Sequence, residues 1–263
     1  MIRGYFFTNL SISQLKDIND IQNDLSLKTR VISDNKLSNS NLLNQKKIYQ
    51  ELNCQSYIIH LDINIPANKN KFIWSDLTDQ ICFALDNIID EEVIKINLHF
   101  LPQTILSSTD DFRKYLTDCI ASIIEKLDIE LGKLNIQHFD SMELFDQSLL
   151  CIKDLNKSFQ TKLTLEPGLI YQSKINLLTQ EGKWSSLCDM ILINEYSIFN
   201  QQEIIPGNGI TPFSSLLTVL QEKQEPIYTV FYPKKLELDS LKSYEIYFNK
   251  SEEFFLKSLM KFK

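Results

Sequence analysis

Glu166 ends the apolar run Lys162-Leu163-Thr164-Leu165 and is followed by Pro167-Gly168. A carboxylate at the end of a buried strand is costly unless it is paired, so Glu166 is either held by a structural neighbour or used to bind a ligand. The chain's three histidines, His60, His99 and His138, also fall in or at the ends of strand-like runs. Together with Asp62 and Glu166 they could line one mouth of a β/α barrel, the end where such folds keep their sites. Histidine beside carboxylate is ordinary metal or acid–base chemistry, and it would suit metal-assisted hydrolysis or isomerisation. His60 and His99 have opposite offsets from their strand ends, however. The histidines are therefore expected to be structural or surface residues, and no metal ligand is assigned.

Other chemistries lack their residues. The five cysteines, Cys54, Cys82, Cys119, Cys151 and Cys188, are widely spaced with no CxxC pair, which argues against a zinc knuckle or a disulfide framework and for buried thiols in a reducing cytoplasm. Six glycines in 263 residues is a low count, and neither GxGxxG nor GxxxxGK[ST] occurs, so a glycine-rich phosphate loop is excluded. A net charge of −7 argues against a nucleic-acid surface. No apolar run approaches the ~18 residues of a membrane-spanning helix, and the N-terminus turns polar too soon for a signal peptide. Asp110-Asp111 and Glu91-Glu92 read as helix-terminal or solvated acids. Trp74 and Trp184 read as packing residues, and Tyr228, Phe231 and Tyr232 as an alternating strand with one buried face.

The elements that must position these residues alternate. Strands are expected at Ile2–Phe7, Thr29–Ser33, Ser56–Ile63, Ile94–Phe100, Lys133–Gln137 and Lys162–Leu165. Between them, Leu15, Ile18, Ile21 and Leu25 recur at helical spacing, 38–52 forms a polar helix, and Ser75 and Thr109 cap two further helices. Met142, Phe145, Leu149, Ile152 and Leu155 mark the next helix face. Strands alternating with helices imply a parallel sheet, as a β/α barrel or an open doubly wound sheet. Beyond Gly168, Ile170–Leu178, Asp189–Asn194, Ile227–Tyr232 and Tyr244–Phe248 read as strands or short elements, 214–223 and 252–261 as helices, and Pro206-Gly207-Asn208-Gly209 as a turn.

The order Leu98-His99-Phe100-Leu101-Pro102, Leu134 to Phe139 and Glu166-Pro167-Gly168 resembles the alanine-racemase-fold decarboxylases that use pyridoxal phosphate, with carboxynorspermidine and diaminopimelate decarboxylases the nearest in pattern. Phe7-Thr8-Asn9, Ser33-Asp34-Asn35, Asp62 to Pro66 and Lys71-Phe72 follow the same order. The resemblance implies a (β/α) barrel of TIM type, incomplete or rearranged over 1–175, followed by a smaller β-rich segment over 176–263 that could complete it. It also implies that Glu166 would hold the pyridine nitrogen and that Glu166, Gly168 and Gln137 would stand nearest the cofactor. Most of that family's machinery has no counterpart. The Schiff-base lysine has none, the stacking histidine falls at Leu101, and its Gly-Ser at Gln103-Thr104. The phosphate glycines fall at Gln137-His138-Phe139, and the phosphate arginine at Leu169. Tyr244 or Tyr247 would stand for the family's C-terminal tyrosine.

On this reading pyridoxal phosphate is not expected to bind. The chain is expected to be a cytoplasmic, non-catalytic relative that partners itself or a catalytic decarboxylase homologue, with neither nucleic acid nor membrane as partner. An active carboxy-lyase-like enzyme with an unorthodox site at Glu166, His99 and His138, and a barrel binding a small ligand, are the alternatives. Six parallel strands leave two open edges. Either Asp189–Asn194 and Ile227–Tyr232 close them within the chain, or a partner covers them.

Overall fold

The computed structural model describes residues 2–5, 29–51, 54, 56–65, 74–102, 109–139, 142–197, 199, 202–222, 226–233, 238 and 241–260. The helix expected over Leu15 to Leu25 lies outside these residues, as do Phe7-Thr8-Asn9, Lys71-Phe72 and Gln103-Thr104. The strands are β1 (Ile2–Tyr5), β2 (Thr29–Asp34), β3 (Ser56–Ile65), β4 (Val93–Pro102), β5 (Leu134–Gln137), β6 (Lys162–Leu165), β7 (Cys188–Ile193), β8 (Glu195–Tyr196), β9 (Glu203–Ile204) and β10 (Tyr228–Phe231). The helices are α1 (Asn39–Glu51), α2 (Trp74–Leu85), α3 (Thr109–Leu127), α4 (Met142–Phe159), α5 (Pro167–Gln172), α6 (Glu181–Trp184), α7 (Phe213–Gln221) and α8 (Leu241–Met260). The hydrogen-bonded strand order β1-β10-β7-β6-β5-β4-β3-β2 is that of a closed barrel, with β8 and β9 as a separate antiparallel pair. The fold is α/β, of TIM-barrel type. Cys188–Ile193 and Tyr228–Phe231 supply the strands that the first six lack.

The chain divides into two compact units: Val31–Phe139 with Glu143–Leu163, and Met1–Arg30 with Asp140–Met142 and Thr164–Lys263. In the first unit, β3 and β4 run parallel with His60 opposite Asn97 and Asp62 opposite His99. The next pairing sets Asn97 opposite Asn135 and Leu98 opposite Ile136. Because side chains alternate along a strand, each of these strands has two unlike faces. Ile59, Leu61, Ile63, Ile96, Leu98, Phe100, Leu134 and Ile136 form one face, all at most 1% exposed. Each such side chain contributes about 1.5–3 kcal/mol of burial. His60, Asp62, Asn97, His99, Asn135 and Gln137 form the other. The connections are tied down by capping. Asp34 accepts from the backbone N–H of Lys36 and Ser38 after β2. The Asn39 amide donates to the carbonyls of Phe83, Ala84 and Asp86, satisfying the C-terminal end of α2. Helix α2 begins at Trp74, so Ser75 sits inside its first turn rather than capping it.

In the second unit, β10 pairs in parallel with both β1 and β7. Two expected strands are helical here. Ile170–Leu178 is divided between α5 and a 3-10 turn at Leu177–Gln180, because Pro167 at the first helical position presets the backbone for a helix. Tyr244–Phe248 lies inside α8. Its aromatic residues imitate a strand, but burial falls on Tyr247, Phe248, Ser251, Glu252, Phe255 and Ser258, a helical period. The Trp184 side chain is fully buried, and its Nε1–H donates to Leu177 O at 2.9 Å.

Candidate metal centre

The polar face of β3, β4 and β5 converges on one cluster. Asp62 Oδ1 accepts from His99 Nδ1 at 2.7 Å and lies 3.3 Å from His60 Nε2. The two imidazoles stand side by side, ring centres 6.1 Å apart and planes inclined at 47°. One ligand atom from each of His60, Asp62 and His99 lies within 4.8 Å of the other two. The strand register explains the convergence. Asp62 and His99 are directly opposite, and His60 is one inward-facing position back on β3. His60 and His99 are 3% and 1% exposed, whereas the Asp62 side chain keeps 17%, so the cluster is reached from the Asp62 side.

An amide layer supports the cluster. Asn97 Nδ2 donates to His60 Nδ1 at 2.8 Å and to Gln137 Oε1 at 3.2 Å. Asn97, Asn135 and Gln137 are each completely buried. Two imidazoles and a carboxylate are the donor set of open divalent-metal sites, which keep coordination positions for water or substrate. The 3.3 Å between His60 and Asp62 is the spacing of neighbouring ligands on a tetrahedral ion with bonds near ~2.1 Å. The 2.7 Å between Asp62 and His99 is a hydrogen bond. The residues thus fit a divalent ion and, without one, hold each other by hydrogen bonds.

The other sequence-selected residues are placed elsewhere. His138 follows Gln137 and so points to the opposite face of β5. There it meets the Phe145 ring of α4 edge-on, with centres 5.8 Å apart, and its Nδ1–H donates to Phe139 O at 3.0 Å. Glu166 belongs to the second unit and is 1% exposed; its Oε1 accepts from Asn194 Nδ2 at 2.5 Å. Gly168 allows the start of α5 to approach Asn194, since a Cβ there would meet Asn194 O at 2.5 Å. Leu101 is half-buried on β4. Tyr247 is buried on α8, where its hydroxyl donates to Ile193 O at 3.3 Å. Burial holds that phenol well above its ordinary range.

Sequence reasoning passed over Asn97 and Glu195. Glu195 is fully buried, and it accepts from Gly207 N at 2.7 Å and Thr211 N at 2.8 Å. The signal for the cluster was the recurrence of polar residues two apart within apolar strands: His60 and Asp62, Asn97 and His99, Asn135 and Gln137. The five cysteines are free, and four of them are buried. Among the described residues no helix is long and apolar enough to cross a membrane.

No protein-family model and no curated protein matches the chain. Solved structures match nearly all of it. A xylose isomerase domain-containing protein from Salmonella typhimurium LT2 shares 11% identity over 97% of this chain and 97% of that chain, with a TM-score of 0.67. A D-allulose 3-epimerase from Methylomonas sp. shares 10% identity over 98% of each chain, with a TM-score of 0.65. The IolI protein, solved with a zinc atom, shares 11% identity over 100% of this chain and 99% of that chain, with a TM-score of 0.63. At such identities the likeness shows the fold alone.

It nevertheless overturns the expected resemblance. The barrels this chain is similar to are xylose-isomerase-like, not the alanine-racemase-fold decarboxylases that use pyridoxal phosphate. The decarboxylase-partner function and the carboxy-lyase alternative fall with that resemblance. The motif misled because Glu166-Pro167-Gly168 has a local use in this chain. Its carboxylate holds the Asn194 amide, and its glycine makes room for the Asn194 backbone.

Proposed function

We propose that this protein is a divalent-metal-dependent isomerase or epimerase acting on a small polyhydroxylated carbonyl compound of the sugar class. The observation that carries this reading is the convergence of His60, Asp62 and His99 from opposed positions on neighbouring parallel strands. The names of the solved neighbours, which include a xylose isomerase domain protein and a D-allulose 3-epimerase, support the same substrate class. His60, Asp62 and His99 would hold the ion. When bound, it would supply a Lewis acid that polarises a carbonyl oxygen and makes the neighbouring C–H acidic.

Asp62 offers the charge and the exposed approach. The buried imidazoles exclude water from the inner side. The buried amides of Asn97, Asn135 and Gln137 back the imidazoles, Asn97 bonding both His60 and Gln137.

The test is metal content and proton exchange together. Protein loaded with zinc, manganese or cobalt is incubated in D2O with a panel of free and phosphorylated ketoses, and deuterium at the carbon beside the carbonyl is read by NMR. Stoichiometric metal and exchange with at least one ketose are expected. A protein that retains no divalent ion after loading would overturn the reading.

A further inference from the structure

We infer that Asn97 is a positioning residue that sets which nitrogen of His60 carries the proton, and so governs whether His60 can accept a metal ion. This rests on the metal reading above and deepens it. The hydrogen bonds of the cluster start at Asn97 Nδ2 and converge on Asp62 Oδ1. Asn97 Nδ2 donates to His60 Nδ1, so that nitrogen is an acceptor and the ring proton is on Nε2. Nε2–H then faces Asp62 Oδ1, 3.3 Å away, and the same oxygen accepts from His99 Nδ1. This arrangement is self-consistent without a metal, and it is the wrong one for binding a metal. A metal-binding imidazole needs its lone pair at the coordinating nitrogen and its proton on the other.

Asn97 carries the means to invert it. Its Oδ1 is buried and has no hydrogen-bond partner among the described residues, while its Nδ2 makes two bonds. Half a turn of the amide presents Oδ1 to His60 Nδ1. That nitrogen becomes the donor, and Nε2 is released toward Asp62. The ring holds one proton in both states, so its charge does not change. Gln137 must turn with Asn97, because the atom it faces changes from donor to acceptor and it must then offer its own N–H. Asn97 and Gln137 therefore form an amide relay with two settings, one that closes His60 to a metal ion and one that opens it. Carboxamides suit this purpose because each presents a donor and an acceptor on one rigid plane.

The test reads the His60 tautomer directly, by long-range proton–nitrogen NMR of the imidazole. In metal-free protein, Nδ1 is expected to be bare and Nε2 protonated; on adding zinc the proton is expected on Nδ1. Finding Nδ1 protonated in the metal-free protein would overturn the inference whether or not zinc binds. The second measurement is zinc affinity by chelator competition in Asn97→Asp and Asn97→Leu. Aspartate can only accept, so it holds the proton on Nδ1 before zinc arrives and should tighten binding. Leucine leaves Nδ1 without a partner and should weaken binding by ~10–100-fold, the usual effect of losing such a supporting group. Wild-type affinity in both variants would also overturn the relay. Failure of the wild type to bind zinc would instead overturn the metal reading, and the metal-free tautomer would still decide the relay.

Discussion

Asp62 and His99 occupy directly opposed positions on neighbouring parallel strands, and the Asp62 carboxylate accepts the His99 Nδ1 proton at 2.7 Å. Asp62 is also the one member of the cluster open to solvent. Replacing it tests charge and ligation together. In Asp62→Asn the shape is kept and the charge is lost, so zinc affinity should fall by at least ~100-fold. The check is thermal unfolding with and without zinc. A ligand at a hundred times its dissociation constant stabilises by about 2.7 kcal/mol. The wild type should show that rise and the variant should not; an equal rise in both would sink the ligand assignment.

Gly168→Ala should destabilise the second unit. A Cβ at this position meets Asn194 O at 2.5 Å and Asn194 Oδ1 at 2.9 Å, and the backbone oxygen cannot move aside cheaply. Overpacking of this kind costs about 2 kcal/mol. Gly182→Ala is the control, since nothing lies within 4 Å of its added Cβ. It sits in the short helix α6 and should be neutral or stabilising by up to ~1 kcal/mol. Urea unfolding of both variants separates the two outcomes, and equal midpoints would refute the steric account.

Glu195→Gln should loosen the Pro206–Gly209 turn. The carboxylate accepts from Gly207 N and Thr211 N with separate oxygens. Glutamine has one oxygen and sets its NH2 group against the other backbone donor. The loss of one charge-assisted bond with an N–H left unmatched costs about 2 kcal/mol. Hydrogen exchange should accelerate at Gly207 and Thr211. Unchanged exchange there would show that the turn does not depend on this carboxylate.

Alkaline stability should reflect two buried thiols. Burial pushes Cys119 from 9.0 up to about 11, with the Thr78 hydrogen bond opposing in part, and pushes Cys151 from 9.0 up to about 12. Below pH 9 both states keep these protons and the thiols add no pH dependence. Above it the unfolded chain releases protons that the folded chain retains, so stability falls as pH rises. The slope is up to ~1.4 kcal/mol per pH unit for each thiol, from pH 9 to about 11 for Cys119 and to about 12 for Cys151. Cys151→Ala should flatten the decline seen in urea midpoints. The same slope in the variant would exclude Cys151 as its source.

The strands and helices that carry the cluster were legible because their apolar periodicities are plain. Ser56–Ile63 and Ile94–Phe100 were found as strands nearly to their ends. The convergence of the histidines was discounted through a wrong inference from their offsets. The run ends Ile63 and Phe100 are directly paired, and His60 and His99 precede them by different distances. Those distances differ by one strand period, so both side chains share a face, with Asp62 directly opposite His99. That the two ends are level is set by packing across the sheet, which a single strand's pattern does not encode. Aromatic residues caused the error at Tyr244–Phe248, where strand-like composition overrode a helical spacing that begins at Tyr247.

The pairing of β3 with β4 has a kinetic side. His60, Asp62, Asn97 and His99 all belong to one strand–helix–strand span, and Asp62 and His99 are 37 residues apart in the chain. Contacts at such separation close a modest loop, and closure entropy grows only slowly with its length. Proteins are made from the N-terminus onward, so these four side chains emerge before any residue of β6, β7 or β10. The pairing that assembles the cluster draws only on chain that is made before the strands that complete the sheet.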